Sequence, residues 1–155
     1  VIEGDYFARE AGAMVSPANS FGIMDGGLDA AIRDTLGFAV KQSVQRVIVD
    51  KHHGELPVGF AELVETGDSR WPLLVVAPTM RVPESVANTL NAYLAFRAAL
   101  LATKRAGVTS LVCCGLGTGI GAMDPPRCAV QMRMALLHAS GPPRIPSFDQ
   151  IHAVH

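Results

Sequence analysis

The residues best suited to chemistry lie in two glycine-rich stretches. Gly115-Leu-Gly-Thr-Gly-Ile-Gly121 follows an apolar run, Leu111 to Cys114, and precedes Asp124-Pro-Pro, which reads as a helix start. Alternating glycines let successive backbone N–H groups turn toward one anion, and a helix N-terminus adds partial positive charge, so a diphosphate suits this loop. Ser16-Pro-Ala-Asn-Ser-Phe-Gly-Ile-Met-Asp-Gly-Gly-Leu-Asp29 likewise follows an apolar run and leads into a helix. Asn19 can both donate to and accept from sugar hydroxyls, while Asp25 and Asp29 are acceptors able to bind a hydroxyl or orient a water. Each also has a structural reading: Asn19 as the brace of its own loop, Asp25 as a turn residue, Asp29 as an acid favouring a first helical turn. Two such loops point to one elongated polar ligand.

Other site chemistries fit less well. Gly117, Gly119 and Ala122 have the spacing of a dinucleotide fingerprint, but too little chain follows for a full βαβ unit with its ribose-binding acid. A nucleoside triphosphatase loop would need a closing Gly-Lys-Ser/Thr, which is absent. His52 and His53, adjacent at a helix end, do not face one metal centre and are expected to face solvent. Cys113, Cys114 and Cys128 lack zinc or redox spacing and read as reduced, buried thiols, so no metal and no cofactor is expected. Arg33, one turn beyond Asp29, either reaches a phosphate or solvates its helix.

The loops need elements to position them. Ala13 to Val15 reads as a strand, Leu28 to Leu36 as a helix, and Phe38 to Asp50 as a second helix stopped near Gly54. Phe60 to Thr66 and Leu73 to Ala77 read as strands, and Val86 to Ala106 as a long helix closed by Lys104, Arg105 and Gly107. Leu111 to Cys114 is a further strand, and a helix runs from Asp124, its N-cap, to about Ala139. The stripe Tyr93, Phe96, Leu100 and Leu101 reads as core. The proline-punctuated tail, 141–155, has little pattern. Strands alternating with helices imply an α/β sheet with its site at the carboxyl ends of the strands.

The chain has 155 residues with 49% hydrophobic and 17% charged content, enough for one domain with a sheet covered on both faces. A net charge of -1 supplies no global field for nucleic acid or an anionic membrane. No apolar run is long enough to span a bilayer, and the chain reads as soluble and cytoplasmic. Nothing in the pattern fixes an oligomeric state.

These motifs, in this order, resemble the macro domain family of the ADP-ribose-binding, Appr-1-p processing type. Gly4-Asp5-Tyr6 is similar to the family's opening Gly-Asp-Ile/Leu. Val15-Ser-Pro-Ala-Asn-Ser20 with Gly26-Gly-Leu-Asp-Ala-Ala-Ile32 resembles its Asn-Ala-Ala-Asn and glycine-rich segment, and Gly117-Thr-Gly-Ile-Gly121 its phosphate loop. Leu56-Pro-Val-Gly-Phe-Ala61 resembles its Cys-Pro-Thr-Gly-Glu-Ala segment, and the spacing from Asp5 to Asn19 matches. The longer string from Ser16 to Gly27 resembles a bacterial branch called phage-tail-like.

The resemblance implies a single domain over 1–155 with a three-layer α/β/α fold, a mixed, mostly parallel sheet, and a first strand upstream of Val1. It implies ADP-ribose or an ADP-ribosylated protein as partner, with Asp5 and Tyr6 at the adenine. Asn19 and Phe21 would lie at the distal ribose. Gly26, Gly27 and Leu28 would close one side of the diphosphate, and Gly117, Thr118, Gly119, Ile120 and Gly121 would wrap the other. Hydrolysis of an ADP-ribosyl linkage would use Asn19 to hold the ribose and Asp29 to orient water. Two departures bear on that activity: the hydrolytic branch commonly has asparagine at the position of Ser16 and an aromatic residue at that of Gly121, for which Phe21 could substitute. A non-catalytic ADP-ribose-binding module and a structural, phage-derived interaction domain remain as alternatives.

Overall fold

A computed structural model describes all residues, 1–155. The strands are β1 (Ala13–Ser16), β2 (Glu62–Glu65), β3 (Leu73–Val76) and β4 (Leu111–Val112). The helices are α1 (Gly27–Leu36), α2 (Phe38–His52), α3 (Asn91–Arg105), α4 (Pro125–Ala139) and a short α5 (Phe148–His152). The sheet order is β2-β3-β1-β4, with β1 parallel to both β3 and β4 and β2 antiparallel to β3.

Period-two alternation along β1 and β3 divides the apolar side chains between two cores. Ala13, Val15, Val75 and Ala77 point to one face and pack with Ala92, Ala95, Ala99 and Cys128 of α3 and α4. Met14, Leu74 and Val76 point to the other and pack with Ile32, Val40, Val44 and Ile48 of α1 and α2, and with Trp71. Burial of each Val, Leu or Ile side chain in these layers stabilises the fold by about 1.5–3 kcal/mol. The outcome is a three-layer α/β/α arrangement, with a mixed and mostly parallel sheet.

Three elements differ from the sequence expectation, two of them at points where distant segments meet. Helix α3 begins at Asn91 rather than Val86; Val86 N–H donates to Gly121 O at 2.7 Å, which ties 86–90 to the glycine loop. Strand β4 ends at Val112 rather than Cys114. The Tyr6 hydroxyl lies between the strands there, bonded to Val15 O at 2.5 Å and Val112 O at 3.2 Å, where the β1–β4 ladder would otherwise continue. The two strands therefore part at their carboxyl ends, where ligands enter sheets of this type. The tail carries α5, opened by a capping box between Ser147 and Gln150 whose Ser-x-x-Gln spacing was present in the sequence.

His52 does not face solvent as expected. Its Nε2 pairs with Glu62 Oε1 at 2.7 Å and its ring meets Phe60, fastening the end of α2 to β2. His53, in the left-handed region at φ 54°, ends that helix. No helix is long and apolar enough to cross a membrane.

Candidate functional site

The segments that follow β1, β3 and β4 meet in one cleft of 620 Å³, a volume suited to a nucleotide-sized ligand. Residues 17–29 supply Pro17, Asn19, Phe21, Ile23, Asp25, Gly26, Gly27, Leu28 and Asp29. The glycine loop supplies Gly117, Thr118, Gly119, Ile120 and Gly121, with Cys114 and Gly115 behind them. The third wall is Thr79, Met80, Arg81, Val82 and Pro83, and neither periodicity nor resemblance had identified it. Its signal was present: an apolar strand ending in Pro78-Thr79 places the next residues at the carboxyl end of a parallel strand. An isolated bridge between Asn19 and Met80, with Ser20 N–H on Arg81 O at 3.2 Å, runs this wall alongside the first loop.

The backbone of two walls is arranged for an anion. None of the N–H groups of Gly117 to Gly121 donates within the chain, although the loop is closed by Ala122 N–H on Gly119 O and Met123 N–H on Gly117 O, both at 2.9 Å. Across the cleft, helix α1 follows its N-cap Gly26 with no side-chain cap, and the N–H groups of Gly27, Leu28 and Asp29 are also unpaired. Such groups are left open only where solvent or a ligand fills them, and together they form an electropositive cradle. A Cβ on Gly27 would meet Ile120 Cδ1 at 3.7 Å, so the two walls approach closely there.

The side chains are less uniform. Asn19 Oδ1 accepts from Phe21 N–H at 3.0 Å and Ile23 N–H at 3.2 Å, and its Nδ2 donates to Ile23 O at 2.8 Å. Asn19 thus braces its own loop while lining the cleft, and keeps one amide hydrogen for a ligand. Replacing Asn19 with alanine is expected to cost about 1–2 kcal/mol in urea denaturation, by leaving the Phe21 and Ile23 groups unpaired, and to loosen ligand binding as well. Phe21 stacks under Arg81, whose guanidinium lies 5.2 Å from the ring centroid and pairs with Glu55 at 2.6 Å. Asp25 sits at the rim, held by Lys41 at 2.9 Å and Arg33 at 3.1 Å, and these cations, the Lys41 bond foremost, lower its pKa. Arg33 also donates to Met24 O at 2.8 Å, so it fastens the loop.

Asp29 differs from the other acids. It is 7% exposed, and its Oδ1 accepts a hydrogen bond from the Ser16 hydroxyl. Burial pushes its pKa up to about 6, with the Ser16 bond opposing that rise. A carboxyl group poised near neutrality in a cleft has the properties of a general base. Cys114 is a poor nucleophile by comparison, since burial raises its thiol to about 11.

Asp5 and Tyr6, expected at the adenine, do not line the cleft. Asp5 is exposed and accepts from Phe7 N–H at 2.9 Å as the cap of a short 3-10 turn, while Tyr6 is occupied between the strands. No group of three His, Cys, Asp or Glu side chains is arranged to hold a metal ion.

The chain is similar in sequence and in fold to known proteins. The Macro domain family matches residues 15–132. An uncharacterized protein of Aeropyrum pernix is 31% identical over 135 residues, covering 87% of this chain and 68% of that protein. In fold, the chain is similar to the Oceanobacillus iheyensis macrodomain with ADP, at a TM-score of 0.76 and 16% identity, covering 97% of this chain and 84% of the other. It is also similar to Thermosipho africanus DarTG in complex with ADP-ribose, at a TM-score of 0.72 and 21% identity, over 93% of this chain but only 42% of that one. Family match and shared architecture coincide on the segment that builds the cleft, and the chain belongs to the macro domain family.

Proposed function

We propose that the cleft binds ADP-ribose or an ADP-ribose derivative, with the diphosphate between the glycine loop and the N-terminus of α1. The observation that carries this reading is the two sets of unpaired backbone N–H groups, from Gly117 to Gly121 and from Gly27 to Asp29, on residues lining one cavity. A diphosphate has enough acceptor oxygens to use both sets at once. Ligands named for the structural relatives, ADP and ADP-ribose, support it. The distal ribose then lies toward Asn19 and Phe21; Asp5, for which the resemblance implies a contact with the adenine amino group, stands outside the cleft lining.

Asp29 gives this reading a catalytic extension. Its free carboxylate oxygen accepts a proton from a water as that water attacks an ADP-ribosyl ester, on a protein or a small molecule. The ester bond breaks, and the proton passes to the departing oxygen. A binding-only function is the second reading, favoured by Gly121, where the packing leaves no room for the aromatic residue of the hydrolytic branch.

Isothermal titration with ADP-ribose tests the first step. Saturable heat is expected, weakened at least about tenfold by Asp5→Ala if adenine is read there. Absence of heat or thermal shift at millimolar ligand would exclude the reading. Release of ADP-ribose from a modified protein and from an acyl ester, by wild type and Asp29→Ala, separates catalysis from binding alone: equal background release by both leaves binding only.

A further inference from the structure

Ser16 is the side chain that touches Asp29 most directly, and its position is unusual for a hydroxyl. It ends β1, is 1% exposed, and directs its Oγ–H onto Asp29 Oδ1 from the sheet side. The other carboxylate oxygen, Oδ2, has no partner within the chain and is not among the fully enclosed unpaired atoms, so it is the oxygen that meets the cleft. Asp29 in turn acts on Cys114 beyond β4 and Tyr6 beside β1, both kept neutral at ordinary pH by burial. The nearby cations are engaged elsewhere: Arg33 with Asp25 and Asp34, and Lys41 with Asp25. A buried carboxylate with no cation and one hydroxyl donor depends on that donor for both its orientation and its charge.

We propose that Ser16 is a positioning residue of the cleft: its hydroxyl fixes Asp29 through Oδ1 so that Oδ2 faces the bound ligand in its ionised form. The inference rests on the ADP-ribose reading for the identity of that ligand, but the coupling between Ser16 and Asp29 is a property of the chain itself. Serine supplies this hydrogen bond at the end of β1, at a position where the hydrolytic branch commonly carries asparagine.

Two measurements test it. The first is the NMR titration of the Asp29 carboxyl carbon in wild type, Ser16→Ala, Ser16→Thr and Ser16→Cys, which needs no turnover and no ligand. Loss of the donor is expected to move the titration to higher pH in Ser16→Ala. Ser16→Thr, which keeps the hydroxyl, restores it, and Ser16→Cys, a weaker donor, falls between. The second is ADP-ribose release as a function of pH. Ser16→Ala is expected to release about tenfold less than wild type at pH 6, with the gap narrowing toward pH 9 as the carboxylate ionises without help.

An Asp29 titration that is unchanged in Ser16→Ala would overturn the proposal, as would a uniform loss of release at every pH that Ser16→Thr fails to rescue. If Ser16→Ala does not fold, the comparison of Ser16→Thr with Ser16→Cys decides: equal titrations for the two reject it. A wild type that releases no ADP-ribose at any pH counts against the catalytic reading, and the carboxyl titration still decides the role of Ser16.

Discussion

Gly121→Ala is expected to unfold about 2–3 kcal/mol more readily than wild type and to bind ADP-ribose at least about tenfold more weakly. A Cβ at this position would stand 2.6 Å from Gly117 O and 2.6 Å from Val86 Cγ2, both far inside contact distance. The first obstacle is backbone and cannot rotate away. The second is a buried side chain whose own N–H is tied to Gly121 O. Relief therefore requires the loop to shift, which displaces the unpaired N–H groups that we assign to the diphosphate. Chemical denaturation and calorimetric titration of the same variant read both effects. Adding Val86→Ala removes only the side-chain obstacle, so the double variant is expected to recover part of the stability and little of the affinity. A single variant with wild-type stability and affinity would show that the loop adapts freely. The same contacts explain the absence of an aromatic side chain here: the space beside Gly121 already belongs to Val86.

Asp29→Asn is expected to act in opposite directions on stability and on catalysis. The folded carboxyl has its pKa raised to about 6 against an ordinary value of 3.8, because burial disfavours the charged form. A group raised in this way contributes stability that is complete below its unfolded pKa and is lost as pH climbs through its folded one. Wild type is thus expected to lose on the order of 3 kcal/mol from this site between about pH 4 and pH 7. Asparagine cannot ionise, and its Oδ1 can still accept from Ser16. The variant should therefore match wild type near pH 4 and exceed it by up to about 3 kcal/mol at pH 8, read as denaturation midpoints at the two values. Any hydrolytic release should fall to background at both, since the amide cannot take the proton from water. A variant less stable than wild type at pH 8 would mean that the ionised carboxylate is better compensated than its surroundings indicate.

How much of this was legible beforehand varies by residue, and for physical reasons. The glycine loop after β4 was evident, because glycine spacing, a preceding apolar strand and a following Asp-Pro-Pro are all local signals. Asp29 was identifiable as an acid in the right loop, but the burial that raises its pKa was not, because it depends on three segments meeting. Asn19 fulfils the structural alternative in full and lines the cleft besides. The wall from Thr79 to Pro83 was overlooked because its residues carry no motif; only strand order brings them to the cleft.

By itself the sequence determined the four strands and the four long helices, where the glycines fall, and the family, since period and turn chemistry are properties of neighbouring residues. Tertiary structure alone decided that Tyr6 parts β1 from β4, that Val86 leaves α3 to hold the glycine loop, and that Ser16 reaches Asp29. Each of those is a contact between residues distant along the chain or in separate elements. Its energy comes from the exclusion of water by packing, which no local pattern records.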